Sequence, residues 1–284
     1  WSRDLTNTLD LIDNPSWSDD AGAYIVPREI ESDASGNIYI LSSVNKKVDD
    51  GFREEEALLG NTLTILSSSG LHIKTIEIAN ETDGLNWSSQ ESHRKHLAVS
   101  DTGTTLVNTG KKAYLIDFSG NITTIVDTPI QGEYTGSQLR SADYFDNSFY
   151  LQNGGNILKY DSAGNLQETI VSGWDNEPRN YRLNSGSGIE IDVTNNLIVV
   201  SHFNSQQGSS SRGEFWTLKY DSGNWTQSEV LSFAHRPYSL EIFDSQTIYM
   251  IGEHTNGSDG FLAKYESDQN GNWAQVWNVN NDVI

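Results

Sequence analysis

The sequence contains no cysteine, which excludes disulfides, thiol chemistry and cysteine-ligated zinc. Stability has to come from a core and from strand pairing. No apolar run approaches the roughly 18 residues that would span a bilayer, so membrane insertion is not expected. Basic residues are scarce, with 18 Lys and Arg against 39 Asp and Glu and a formal charge of −21 over 284 residues. Like charges repel, so nucleic acid and anionic membranes are poor candidates for the main partner, and any anionic ligand needs a local basic site. The chain opens on Trp1 without a methionine or a signal peptide, which reads as processing or as a piece of something longer. Convincing helical periodicity is also missing. The exception is residues 51–59, where Arg53-Glu-Glu-Glu-Ala57 is expected to make one or two helical turns within a loop.

What is present is a recurring turn. Lys159-Tyr160-Asp161-Ser162-Ala163-Gly164-Asn165-Leu166 joins two short β-like runs, and Asp117-Phe118-Ser119-Gly120-Asn121, Asp221-Ser222-Gly223-Asn224 and Asp268-Gln269-Asn270-Gly271-Asn272 repeat it. Ser67-Ser68-Ser69-Gly70 is a weaker copy. Glycines 70, 120, 164, 223 and 271 are spaced by 50, 44, 59 and 48 residues. A unit of that length holding about four short strands is the signature of a β-propeller blade. The expected fold is all-β, a single β-propeller domain of five blades with four antiparallel strands each.

The repeats run over residues 24–80, 94–127, 138–172, 186–233 and 236–280. Residues 1–20 precede them, and Trp1, Leu5, Asp10 and Ile12 align without gaps on Trp273, Trp277, Asp282 and Ile284. That echo suggests an N-terminal strand that closes the ring, or a cut between repeats of a longer array; closure is favoured because an open ring exposes sheet edges. Turns between strands a and b and between c and d are short. The other connections carry the long insertions, residues 43–60, 79–96, 127–140, 172–186 and 204–214. Binding residues concentrate in loops on a rigid scaffold, so function is expected on that side.

Arg28, Arg94, Arg140, Arg182 and Arg236 recur where the chain enters strand a of each repeat. A guanidinium offers a planar fork to carboxylate, sulfate or phosphate oxygens, so these five are candidate ligand-binding residues; pairing with strand-a carboxylates between blades is the plainer alternative. Histidines, His202 and His254 among them, and the aromatics Trp87, Trp174 and Tyr238 map to the same side. Aromatic faces beside hydrogen-bonding side chains line sugar sites, although the tryptophans also suit simple packing of loops on blades. Two enzyme readings draw on the same region. A glycoside hydrolase would take its acid pair from Glu31, Asp143, Glu190 and Glu241. A polysaccharide lyase would use His235 or Tyr238 for proton transfer, with Arg236 neutralising a uronate. No cofactor is required; structural calcium is conceivable in the loops around Asp83 and Asp259, although the repeated turns lack the alternating acids of an EF-hand.

Gly260-Phe-Leu-Ala-Lys264-Tyr265 followed by Asn270-Gly-Asn-Trp273, and Phe215-Trp-Thr-Leu-Lys219-Tyr220-Asp221 followed by Asn224-Trp225, resemble the secreted bacterial β-propeller repeat family. Asn156-Ile-Leu-Lys159-Tyr160-Asp161 fits in part, with Leu166 at the tryptophan position, so the likeness covers about half the chain, repeats three to five. It implies the fold and secretion to the extracellular space or cell surface, and transfers no catalytic residue. The sequence therefore points to a binding or adhesion module for a carbohydrate or other anionic surface ligand. Its partners would include other copies or domains of a larger surface protein. A polysaccharide-degrading enzyme and a structural unit of a surface layer or appendage are the alternatives.

Overall fold

Short apolar runs become strands here because each is followed by a turn that lets the next run pair back on it. The computed structural model describes residues 22–49, 54–80, 95–127, 131–132, 136–137, 139–153, 156–171, 188–192, 197–204, 212–221, 224–233, 235–244, 246–254, 260–268 and 272–280. The first sheet takes β1 (Tyr24–Ser32), β2 (Ile38–Asp49), β3 (Glu54–Leu66) and β4 (His72–Asn80) in sequence order. The second takes β5 (Leu97–Val99), β6 (Thr105–Asn108), β7 (Ala113–Ile116) and β8 (Ile122–Val126). A small ribbon pairs β9 (Gln131–Gly132) with β10 (Gly136–Ser137). The third sheet is β11 (Leu139–Phe145), β12 (Ser148–Asn153), β13 (Asn156–Asp161) and β14 (Leu166–Val171). The fourth is β15 (Gly188–Asp192), β16 (Leu197–Asn204), β17 (Arg212–Asp221) and β18 (Asn224–Phe233). The fifth is β19 (His235–Asp244), β20 (Thr247–His254), β21 (Gly260–Ser267) and β22 (Trp273–Asn280). Every pairing within these sheets is antiparallel. Four-stranded meanders repeated in this way are the blades of a β-propeller, and five of them lie among the described residues.

Among the described residues the expected turn takes one form at Asp33, Asp117 and Asp268. Asp33, Asp117 and Asp268 each accept the backbone N–H of the asparagine four residues on at 2.9 Å, and that asparagine's side-chain amide donates to the second carboxylate oxygen at 2.7–2.9 Å. A positive-φ glycine closes the first two of these, Gly36 and Gly120, as three-residue hairpin loops require. Ser67 and Ser100 replace the aspartate with a hydroxyl that accepts from Leu71 and Thr104. The third sheet departs from this form with Asp146 and Asn147, both at positive φ, in a two-residue loop between Phe145 and Ser148, the geometry of a type I′ turn.

One expectation is overturned. Residues 51–59 carry no helical turn in the described part, because β2 and β3 continue their ladder through Asn45 with Leu58, Lys47 with Glu56 and Asp49 with Glu54. Most of the 43–60 insertion is thus a hairpin extension of the first sheet. Residues that favour a helix in isolation, Glu54, Glu55 and Glu56, pair across from Asp49, Val48 and Lys47 instead, and cross-strand pairing outweighs propensity.

The described residues fall in two compact units. One lies within Trp1–Ser92, His96–Pro129 and Ser162–Asn165, the other within His93–Lys95, Ile130–Asp161 and Leu166–Ile284. In the first unit, Tyr39, Leu41, Leu63 and Ile65 of the first sheet share one core with Leu97, Val99, Val107, Tyr114 and Ile116 of the second. Burying each large aliphatic side chain there contributes about 1.5–3 kcal/mol. In the second unit, Leu240, Ile248, Met250, Phe261, Ala263, Tyr265 and Trp273 form the core of the fifth sheet. The sheet's opposite face bears Phe243 and Ile251, 71% and 50% exposed. Tyr249 lies on it between the rings of Phe243 and Trp277, at 5.9 and 6.2 Å.

Candidate functional site

The first strand of a sheet starts earlier than its apolar run suggests. β1 begins four residues before Arg28, β11 at Leu139 and β19 at His235. Arg28, Arg140 and Arg236 therefore sit inside strands and not at the junctions before them, because the second strand runs on far enough to pair the residue that precedes each of them. The ladders break at the same place. Register shifts fall between Pro27 and Glu29, between Leu139 and Ala142, and between Pro237 and Ser239. Arg28 and Arg140 are in the bulges themselves, and Arg236 pairs with Glu253 two residues before the bulged Tyr238. A bulge re-aims a side chain and increases local twist.

Arg28 is exposed and its Nε donates to the buried Ser43 Oγ at 3.1 Å. The neighbouring Glu29, which sequence reasoning passed over, uses both carboxylate oxygens to accept the backbone N–H of His96 and one to accept that of Leu97, all at 2.9 Å. It thereby fixes the start of the second sheet. His96 is fully buried, and its Nδ1 faces two oxygens of Asn108, the backbone at 3.2 Å and the side chain at 2.8 Å. Both are acceptors, so Nδ1 carries the proton. This histidine belongs to the core.

In the second unit Lys95 Nζ donates to Asp143 Oδ1 at 3.0 Å, and the Lys95 carbonyl accepts the Ala142 N–H at 2.8 Å. Asp143 also accepts the Tyr144 N–H. Two other buried groups stand beside this pair. Ser141 Oγ and both side-chain amide atoms of Gln152 have no hydrogen-bond partner, and both residues are 0% exposed. The first sheet repeats the pattern, since Ser42 and Thr62, paired across β2 and β3 at the level of its bulge, are fully buried with unpartnered hydroxyls.

The remaining candidates are dispersed. Glu31 lies opposite Tyr39 and is half-buried; Glu241 lies opposite Tyr249 and is exposed. By backbone position Glu190 pairs with Val199, His202 with Glu214 and His235 with His254. Arg94, Arg182, Trp87, Trp174, Asp83 and Asp259 lie outside the described residues. Among the described residues no group of three or more His, Asp or Glu side chains is placed to hold a metal ion. The residues missed from sequence were Glu29, Lys95, Ser141 and Gln152. Their signal was faint: Gln152 is a polar residue ending the otherwise apolar run Phe149-Tyr-Leu151.

No family model and no curated protein matches the chain. Solved structures do. The WD40 domain of Pan2 from Neurospora crassa is similar over 88% of this chain and 65% of that one, at 12% identity and a TM-score of 0.54. The present chain thus spans just under two thirds of that structure's length. A candidate 6-phosphogluconolactonase from Bacteroides uniformis is similar over 90% of this chain and 84% of that one, at 10% identity and a TM-score of 0.51. The β-propeller domain of the Trilobed protease from Pyrococcus furiosus is matched over 90% of this chain and 71% of that one, at 11% identity and a TM-score of 0.48. At such identities the likeness is one of fold.

Proposed function

We propose that this chain is an extracellular binding or adhesion module for a carbohydrate or other anionic surface ligand, recognised at the blade ends that carry the long connections. The observation that carries the reading is a bulge at the arginine in the first and third sheets and two residues after it in the fifth, in sheets of otherwise different sequence. A bulge weakens a ladder, and strands keep one where it re-aims a side chain. In a chain with a net charge of −21, a guanidinium set out in this way is suited to fork onto a sugar carboxylate or sulfate. The resemblance of repeats three to five to secreted bacterial propeller repeats supports the same location, outside the cell.

The enzyme alternative draws less support. A glycoside hydrolase needs a pair of carboxyls available to the scissile bond, whereas Asp143 is engaged by the Lys95 ammonium at 3.0 Å. A structural role in a surface layer is favoured by the exposed apolar face of the fifth sheet. A glycan-array screen of the native chain against the triple variant Arg28→Ala, Arg140→Ala and Arg236→Ala, with and without calcium, tests the proposal. Selective binding of acidic glycans that a folded triple variant loses supports it. A blank array for the folded native chain sinks it and leaves the structural role.

A further inference from the structure

Gln152 is an anomaly of the third sheet. A buried primary amide with neither its oxygen nor its nitrogen bonded costs roughly 1–3 kcal/mol, and native folds keep few such groups. The register shows what surrounds it. Asp143 lies directly opposite Tyr150, so the two share a face, and Gln152, two residues along from Tyr150, returns to that face. Ser141 sits in the bulge across from Gln152, where β11 skips from Leu139 to Ala142. One sheet face thus brings together a carboxamide with an unused donor and acceptor, the Asp143 carboxylate and the Lys95 ammonium, with an unused hydroxyl in the bulge at their edge. Lys95 is the most exposed of the four residues, its side chain 24% accessible against 11% for Asp143.

We infer that this cluster is a subsite for the vicinal hydroxyls of a neutral pyranose ring, admitted when the Lys95 side chain swings outward. One hydroxyl donates to Gln152 Oε1 while its neighbour accepts from Nε2, and Ser141 Oγ and Asp143 complete the set. A carboxamide suits a diol because each side has one donor and one acceptor to offer. The Asp143 carboxylate disfavours an anion at the same point, which divides the labour: the arginines take the charge of an acidic glycan and this subsite takes its hydroxyls. The inference rests on the carbohydrate reading above and deepens it.

The test is calorimetric titration of the native chain, Gln152→Met and Ser141→Ala with methyl β-glucoside, methyl β-galactoside and methyl α-mannoside, beside thermal melts of all three proteins. Expected are binding of at least one pyranoside, weakening of about tenfold or more in Gln152→Met, a smaller loss in Ser141→Ala, and a higher melting temperature for Gln152→Met. Undiminished binding in both variants overturns the subsite, as does failure of all three pyranosides to bind the native chain. If Gln152→Met does not fold, Ser141→Ala decides alone. Acidic glycans bound on the array without any pyranoside would keep the proposed function and remove the subsite. Pyranosides bound, with the array blank, would keep the subsite and remove the adhesive role.

Discussion

At one end of the first sheet Asp33 commits both carboxylate oxygens to Ser35, Asn37 and Tyr39, at 2.8–3.0 Å. At the bulge level of the same sheet Ser42 and Thr62 are just as buried, and their hydroxyls bond to nothing. The third sheet unpairs the same level with Ser141 and Gln152. Turn ends of the first, second and fifth sheets repeat one bonding scheme, whereas the bulged ends of the first and third differ in sequence and leave polar atoms unsatisfied. Redundant, fully bonded turns are what stability selects. Unsatisfied polar groups at a matched level are what the proposed binding function would retain against stability.

The comparison can be broken most severely at Gly103. Its φ is +83°, and an added Cβ would collide with the Tyr39 hydroxyl and lie 3.0 Å from Phe118 Cδ2 and 3.3 Å from Asp33 Oδ2. Gly103→Ala is expected to cost about 3 kcal/mol or more, from backbone strain and overpacking together, measured as a fall in the urea midpoint. If the turn end tolerates it, that end is not the rigid half. Asp33→Ala comes next, at about 1–3 kcal/mol, since it strands the Tyr39 hydroxyl as well as the turn amides.

Asp33 also sets an acid limit. Burial raises its carboxyl, but hydrogen bonds from Asn37, Tyr39 and Ser35 outweigh that and hold it below 3.8. Native structure therefore favours the carboxylate; the stability is present above the unfolded value and is lost as pH falls through the lower folded value. Asp33→Asn should flatten that acid limb of a stability–pH curve. At the alkaline end burial pushes the hydroxyls of Tyr150 and Tyr265 up to about 12, so stability should decline as pH rises from about 10, where the unfolded tyrosines ionise, toward 12. A curve flat over that range would contradict their burial.

At the opposite end the expected sign reverses. Thr62→Val keeps the shape and removes an unpaired buried hydroxyl, so it should gain about 1 kcal/mol in chemical denaturation. A loss would mean that the hydroxyl is satisfied after all and would erase the contrast between the two ends. The smallest effect is expected of Asp117→Ala, at an exposed turn whose carboxyl is held low by Asn121; its melting temperature should shift less than that of Asp33→Ala.

The turns were legible because their chemistry is local. An aspartate, a glycine able to take positive φ and an asparagine four residues on satisfy one another wherever they occur, and their spacing counts the blades they close. Ser100-Asp-Thr-Gly103 escaped notice because serine and threonine fill the same bonds without the Asp and Asn marks. The candidate site was legible only in part. Arg28, Arg140, Arg236 and Asp143 could be picked out as charges at recurring positions, but Gln152 reads along the chain as an ordinary polar residue at a strand end.

By itself the sequence determined the all-β meander, the blade-length repeat and the acidic, cysteine-free surface chemistry, since each follows from a residue's own conformational preference or charge. Tertiary structure alone decided the rest. Residues 54–59 became strand because Asn45, Lys47 and Asp49 lay across from them, and three first strands are bulged at or within two residues of an arginine. Gln152 became a buried amide with no bond at the level where β11 skips from Leu139 to Ala142. Pairing, register and burial are relations between residues distant in the chain, and no single stretch of sequence contains both partners.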